Sequence, residues 1–133
     1  MIGRLKEVGY LDDRRFAENF ALNRAEGDGF GRMRVLSDLR GRRIAPALAE
    51  KTVARVFEDK NEADQIDAYI GRRMRSLDAG AVEDERELAR AYRRLRRAGF
   101  RSGAVLAALK RRAARPEEIE EPPEDDAASA DAS

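Results

Sequence analysis

The sequence predicts an all-α protein of tandem three-helix repeats followed by a disordered acidic C-terminal tail. Apolar residues recur three and four positions apart in short segments, the signature of amphipathic helices. A pattern of helix, glycine-containing turn, basic helix, corner and helix occurs twice. After Arg115 the composition changes abruptly, with eight acidic residues and no basic one.

Ile2, Leu5 and Val8 share one helical face. The segment is too short to be stable alone. It reads either as an N-terminal cap helix or as the tail helix, residues 1–9, of a truncated first repeat, with Gly9 as its C-cap. Asp12 or Asp13 suits the N-cap of a helix running from Asp13 to Ala25, with Phe16 and Phe20, and less strongly Ala17, Ala21 and Arg24, at helical spacing. Gly27, Gly29 and Gly31 end it in a turn. From Arg32 to Arg42, Val35, Leu36 and Leu39 point inward, and Ile44 anchors the next corner. Pro46 fits the first turn of a helix to Glu58. Its inner face is Leu48, Ala49, Thr52, Val53, Val56 and Phe57.

A polar joint at Asp59 to Glu62 opens the second copy. Its first helix spans Glu62 to Ser76, with Ile66, Tyr69, Ile70 and Met74 inward, and Leu77 to Val82 reads as a loop. A helix from Asp84 to Ala98 carries Leu88, Ala91, Tyr92 and Leu95; Gly99 stops it and Phe100 fills the corner. Ser102 is a suitable cap for a last helix to Ala114, with Val105, Leu106 and Leu109 inward. The repeats are thus 12–58 and 61–114. Leu39 to Ile44 corresponds to Leu95 to Phe100 at the same separation. Three short helices bury little by themselves, so contact between the copies is expected. Residues 117–133 hold no large aliphatic after Ile119 and cannot offset the entropy of ordering.

The chain has no cysteine and no histidine, which excludes disulfides, thiol catalysis, Cys/His zinc sites and histidine acid–base chemistry. No apolar run is long enough for a membrane span, and the N-terminus lacks a secretory h-region. A cytoplasmic monomer without cofactor or metal, and not an enzyme, is expected. The formal charge of +1 conceals an asymmetry: residues 1–115 hold all 27 Lys and Arg against 18 of the 26 Asp and Glu, or +9. Such a body either faces a polyanion or an acidic protein surface, or carries arginine as ordinary solvated charge. The tail competes for the basic faces within the chain, or simply aids solubility.

The block Gly9, Tyr10, Leu11, Asp12, Asp13, Arg14, Arg15, Phe16, Ala17 resembles the signature of the RecX family, bacterial regulators of the RecA recombinase. Gly31, Arg34, Val35, Asp38, Leu39 and Ile44 resemble a second family series, and Arg97 to Phe100 with Val105 and Leu109 resembles the end of its last repeat. The resemblance covers residues 1–112. It implies tandem three-helix repeats, usually three. It further implies binding in the groove of the RecA filament on single-stranded DNA, with inhibition of strand exchange, ATP hydrolysis and co-protease activity. Met33 stands where the family often has a basic residue, and Arg43 where it often has glycine.

Three basic clusters are candidates for partner or phosphate contact: Arg32, Arg34, Arg40, Arg42 and Arg43; Arg72, Arg73 and Arg75; and Arg90, Arg93, Arg94 and Arg97. The last four are three or four apart and form a stripe on one helix face. The guanidinium fork suits both phosphate and carboxylate, so direct nucleic-acid binding without a protein target is the alternative function. Tyr10, Phe16, Phe20 and Tyr92 read as core aromatics. Asp12 and Asp13 read as caps, since no third ligand or partner base is suitably spaced. Gly27, Gly29 and Gly31 do not make a phosphate loop, because no Gly-Lys-Ser/Thr follows.

Overall fold

A computed structural model describes residues 2–119, with side chains from Asp12 onward. The apolar face of Ile2, Leu5 and Val8, the side chains of Tyr10 and Leu11, and the tail beyond Ile119 lie outside the described residues.

Within them the chain is helical: α1 (Ile2–Leu22), α2 (Arg32–Gly41), α3 (Pro46–Val56), α4 (Glu62–Arg73), the single turn α5 (Arg75–Asp78), α6 (Glu85–Arg97) and α7 (Ser102–Arg112). The break expected at Gly9 is absent, and α1 runs through it. An interior glycine costs a helix only about 1 kcal/mol relative to alanine. No proline intervenes, so a long helix docked along its far half absorbs that cost. Asp12 and Asp13 are therefore exposed mid-helix side chains, and neither is an N-cap.

The first core joins α1, α2 and α3. α1 contributes Ala17 and Ala21, and the wide π turn after it, Asn23–Gly27, contributes Ala25. They meet Val35, Leu39, Ile44, Leu48, Ala49, Val53, Val56 and Phe57. Small side chains let α1 lie close against α3, which turns the aromatic face aside. Phe16, expected in the core, is 42% exposed, and Phe20 is half-buried with its ring centroid 5.6 Å from that of Phe16. Buried Thr52 satisfies its hydroxyl by donating to the Leu48 carbonyl at 2.7 Å.

The second core is formed by Ile66, Tyr69, Ile70, Leu77, Val82, Ala91, Tyr92, Leu95, Ala98, Phe100, Val105, Ala108 and Leu109. Asn61 caps α4 by accepting from the Asp64 amide, and Asp84 caps α6 by accepting from the Arg86 amide. Ser102 is not a cap. It is the first residue of α7, and the Glu62 carboxylate instead accepts from the Arg101 amide at 3.0 Å. The helix expected to reach Ser76 stops at Arg73. Met74 leaves helical geometry, and α5 then buries Leu77, which was expected in a loop.

The fold continues past Pro116 into the first residues of the segment 117–133 that was expected to be disordered. The Val82 amide donates to Arg112 O and the Ala114 amide to Val82 O, each at 2.8 Å. A 3-10 turn at Pro116–Glu118 then sets Ile119, the last large aliphatic, against the second core.

The two cores meet at Phe30, which packs against both. There the Gly31 amide donates to Ala98 O at 2.7 Å and the Met33 amide to Gly99 O at 3.2 Å. Gly99 sits at φ 103°, and a Cβ on Gly31 would fall 2.6 Å from the Gly99 oxygen. Backbone touches backbone at this joint, and only glycine fits on either side.

Candidate functional site: an arginine-lined groove

The amphipathicity of α6 dictates the site. Ala91, Tyr92, Leu95 and Ala98 are buried, so the residues roughly opposite, Arg90, Arg93, Arg94 and Arg97, project outward as one exposed stripe. Arg96 falls between the faces and turns back to donate to Phe100 O at 2.8 Å.

Facing the stripe is the break between α4 and α5. Arg73 is the last residue of α4 and Arg75 the first of α5, and the turn at Met74 brings both to the same side. A groove of about 640 Å³ results, lined by Arg73, Arg75, Arg90, Arg93, Arg94 and Arg97, with Glu87 the one acidic residue on its wall. The lining carries six positive charges and one negative, a formal +5. None of these six arginines forms an ion pair with a carboxylate of the described residues. Arg14, Arg24, Arg34, Arg40, Arg55, Arg111, Arg112 and Arg115 all do.

Two of the six are held in place. Arg94 Nη1 donates to the Arg73 carbonyl at 3.4 Å, engaging a backbone acceptor freed where α4 ends. The Arg73 and Arg94 guanidinium carbons lie 5.8 and 5.7 Å from the centroid of the buried Tyr69 ring. Both contacts lie within cation–π range. Tyr69 thus holds two of the groove arginines from the core side, a contact that its apolar helical spacing alone does not predict. The signal for it is its position one turn before Arg73. The other four, Arg75, Arg90, Arg93 and Arg97, make no side-chain bond among the described residues and are available to a ligand.

The other basic candidates do not join them. Arg34 is bound to Asp38 at 3.3 Å, stacks over Phe30 at 4.4 Å and donates to Arg97 O at 3.0 Å. Its role is to fasten the two repeats together. Arg40 pairs with Glu50 at 3.4 Å, and Arg42 lies 5.3 Å from the Phe20 ring. Arg40, Arg42 and Arg43 cluster at the far end of α2, while exposed Arg32 opens the same helix. Arg72 lines a separate cleft among Glu26, Asp59 and Asp64. Of the motif residues Gly9, Tyr10, Leu11, Asp12, Asp13 and Phe16, only the last three have described side chains, and all three are exposed. Among the described residues no acidic cluster is arranged to hold a metal ion, and no helix is long and apolar enough to cross a membrane.

Over 104 residues the chain is 31% identical to the regulatory protein RecX of Trichlorobacter lovleyi, covering 78% of this chain and 67% of that one. The chain belongs to the RecX family. A second RecX regulatory protein, from Halorhodospira halophila, is 38% identical over 104 residues, 78% of this chain and 61% of its own length. The chain therefore spans about two thirds of these relatives or somewhat less. Residues 12–53 match the model of the second three-helix domain of RecX, which places the second half of α1, all of α2 and most of α3 within that domain. No solved structure matches significantly. The groove lies in the helices that follow the matched RecX domain.

Proposed function

We propose that this chain is a non-enzymatic regulator that binds the RecA filament on single-stranded DNA and inhibits strand exchange and ATP hydrolysis. The observation that carries the reading is the convergence of six arginines around one groove, none of them paired with a carboxylate of the described residues. Such a site holds a local excess of positive charge that attracts a polyanion or an acidic protein face. Family membership supports a regulatory role, since both relatives are named regulatory proteins.

The mechanism is steric and conformational. Three-helix units at 12–58 and 61–114, joined by the glycine contact, act as one rigid body that engages the filament as a cytoplasmic monomer. Lying in the filament groove, it blocks incoming duplex DNA and hinders the subunit motions that accompany nucleotide turnover. The filament's acidic side chains or the DNA phosphates meet Arg90, Arg93 and Arg97.

Direct binding to nucleic acid without a protein target is the competing reading. Tyr69, the aromatic nearest the groove arginines, is buried, so bases have no stacking platform there. The test is RecA-driven ATP hydrolysis on single-stranded DNA, measured beside binding to the same DNA alone. The proposal expects inhibition at protein concentrations that leave bare DNA unbound. Inhibition only where the DNA itself is coated would assign the effect to DNA binding.

A further inference from the structure

The chain ends in a segment whose charge is the complement of the groove. Beyond Ile119 come fourteen residues with six carboxylates, Glu120, Glu121, Glu124, Asp125, Asp126 and Asp131, and no basic residue. The groove offers six arginines and one glutamate.

Geometry makes the encounter possible. Ile119 is fixed in a cleft beside Leu88 and Tyr92 of α6. Arg90, Arg93, Arg94 and Arg97 of the groove stand on the opposite face of that helix. Passing from one face to the other means rounding a helix about 10–12 Å across. Fourteen residues span up to about 46 Å when extended. A ligand tethered this closely has an effective concentration in the millimolar range, roughly, so even weak individual contacts compete with a dilute external anion.

We propose that residues 120–131 occupy the arginine-lined groove in the unbound protein and act as a built-in competitor for its anionic partner. The inference rests on the groove being an anion site, as the function above requires. It adds that the site is self-occupied until a denser array of negative charge displaces the tail.

The test uses the full chain and a full-length variant in which the six acids become Gln or Asn, so that length is unchanged. Arginine Nε–H NMR signals are compared at low and high potassium chloride. Neutralising the tail should shift the signals of Arg90, Arg93 and Arg97 and leave Arg32 and Arg43 in place. The difference should fade at high salt, as screening predicts. The neutralised protein should also bind inorganic polyphosphate about tenfold more tightly at low salt, through loss of the tethered competitor. If polyphosphate moves the groove signals while tail neutralisation moves none of them, the tail proposal is overturned and the anion site stands. If polyphosphate moves none of the groove arginines, the anion-site reading and the tail proposal fall together. Equal shifts at Arg32 and Arg43 would also overturn occupancy of the groove, since they would mark a general charge effect.

Discussion

Arg34 Nη1 donates a hydrogen bond to the main-chain oxygen of Arg97 across 3.0 Å, linking the middle helix of the first repeat to the last residue of the helix that carries the groove. The same guanidinium is oriented by Asp38 and lies over Phe30, the ring shared by both cores. Replacing it should loosen the joint. Arg34→Ala is expected to destabilise the fold by about 1–2 kcal/mol, a partly exposed charge-assisted bond plus a cation–π contact. Arg32→Ala, at an exposed and unpaired position, should stay within about 0.5 kcal/mol. Urea unfolding followed by helical circular dichroism compares the two.

The glycine joint is more demanding. A Cβ on Gly99 would lie 2.4 Å from the Arg34 amide nitrogen, and the residue's φ is 103°. Neither backbone can retreat without opening the bonds from Gly31 to Ala98 and from Met33 to Gly99. Gly99→Ala should cost at least about 3 kcal/mol, combining overpacking with backbone strain. Gly103→Ala, in α7 with open space around it, should be neutral or stabilising. Equal thermal midpoints for these two variants would contradict the described joint.

Arg43 occupies left-handed backbone at φ 62°. That conformation costs a non-glycine residue roughly 1–2 kcal/mol, part of which glycine gives back as chain entropy. Arg43→Gly should therefore raise stability by about 0.5–1 kcal/mol. Thermal unfolding of the single variant decides it.

The helices were legible because their apolar periodicity is strong. The corner residues Ile44 and Phe100, the proline start of α3 and the buried faces of α3 and α6 all follow from spacing alone. Other features depended on contacts that spacing does not encode. Gly9 looked like a stop but is carried by a long helix. Phe16 looked like core, yet the alanines beside it are what α3 accepts. Ser102 is not the cap because the chain enters α7 one residue earlier, at Arg101, whose own amide donates to Glu62, 39 positions away in sequence. For the site, the stripe on α6 could be read from its own helix. Its meeting with Arg73 and Arg75, and the diversion of Arg34, Arg40 and Arg72 elsewhere, required the angle between helices.

Four groove side chains, those of Arg75, Arg90, Arg93 and Arg97, make no internal bond among the described residues, so stability and binding should separate when the three on α6 are removed. The triple alanine variant is expected to unfold within about 0.5 kcal/mol of the parent per site. Its affinity for polyphosphate should fall at least tenfold at low salt, with a shallower dependence of affinity on salt. Isothermal titration at two salt concentrations checks both quantities.

The most direct measurement is the inhibition of RecA ATP hydrolysis on single-stranded DNA by the parent and by the Arg90→Ala/Arg93→Ala/Arg97→Ala variant, at matched folded concentration. The groove account predicts that the variant needs at least tenfold more protein for half-inhibition, while Arg40→Ala and Arg43→Gly inhibit as the parent does. A triple variant that inhibits as well as the parent would contradict it.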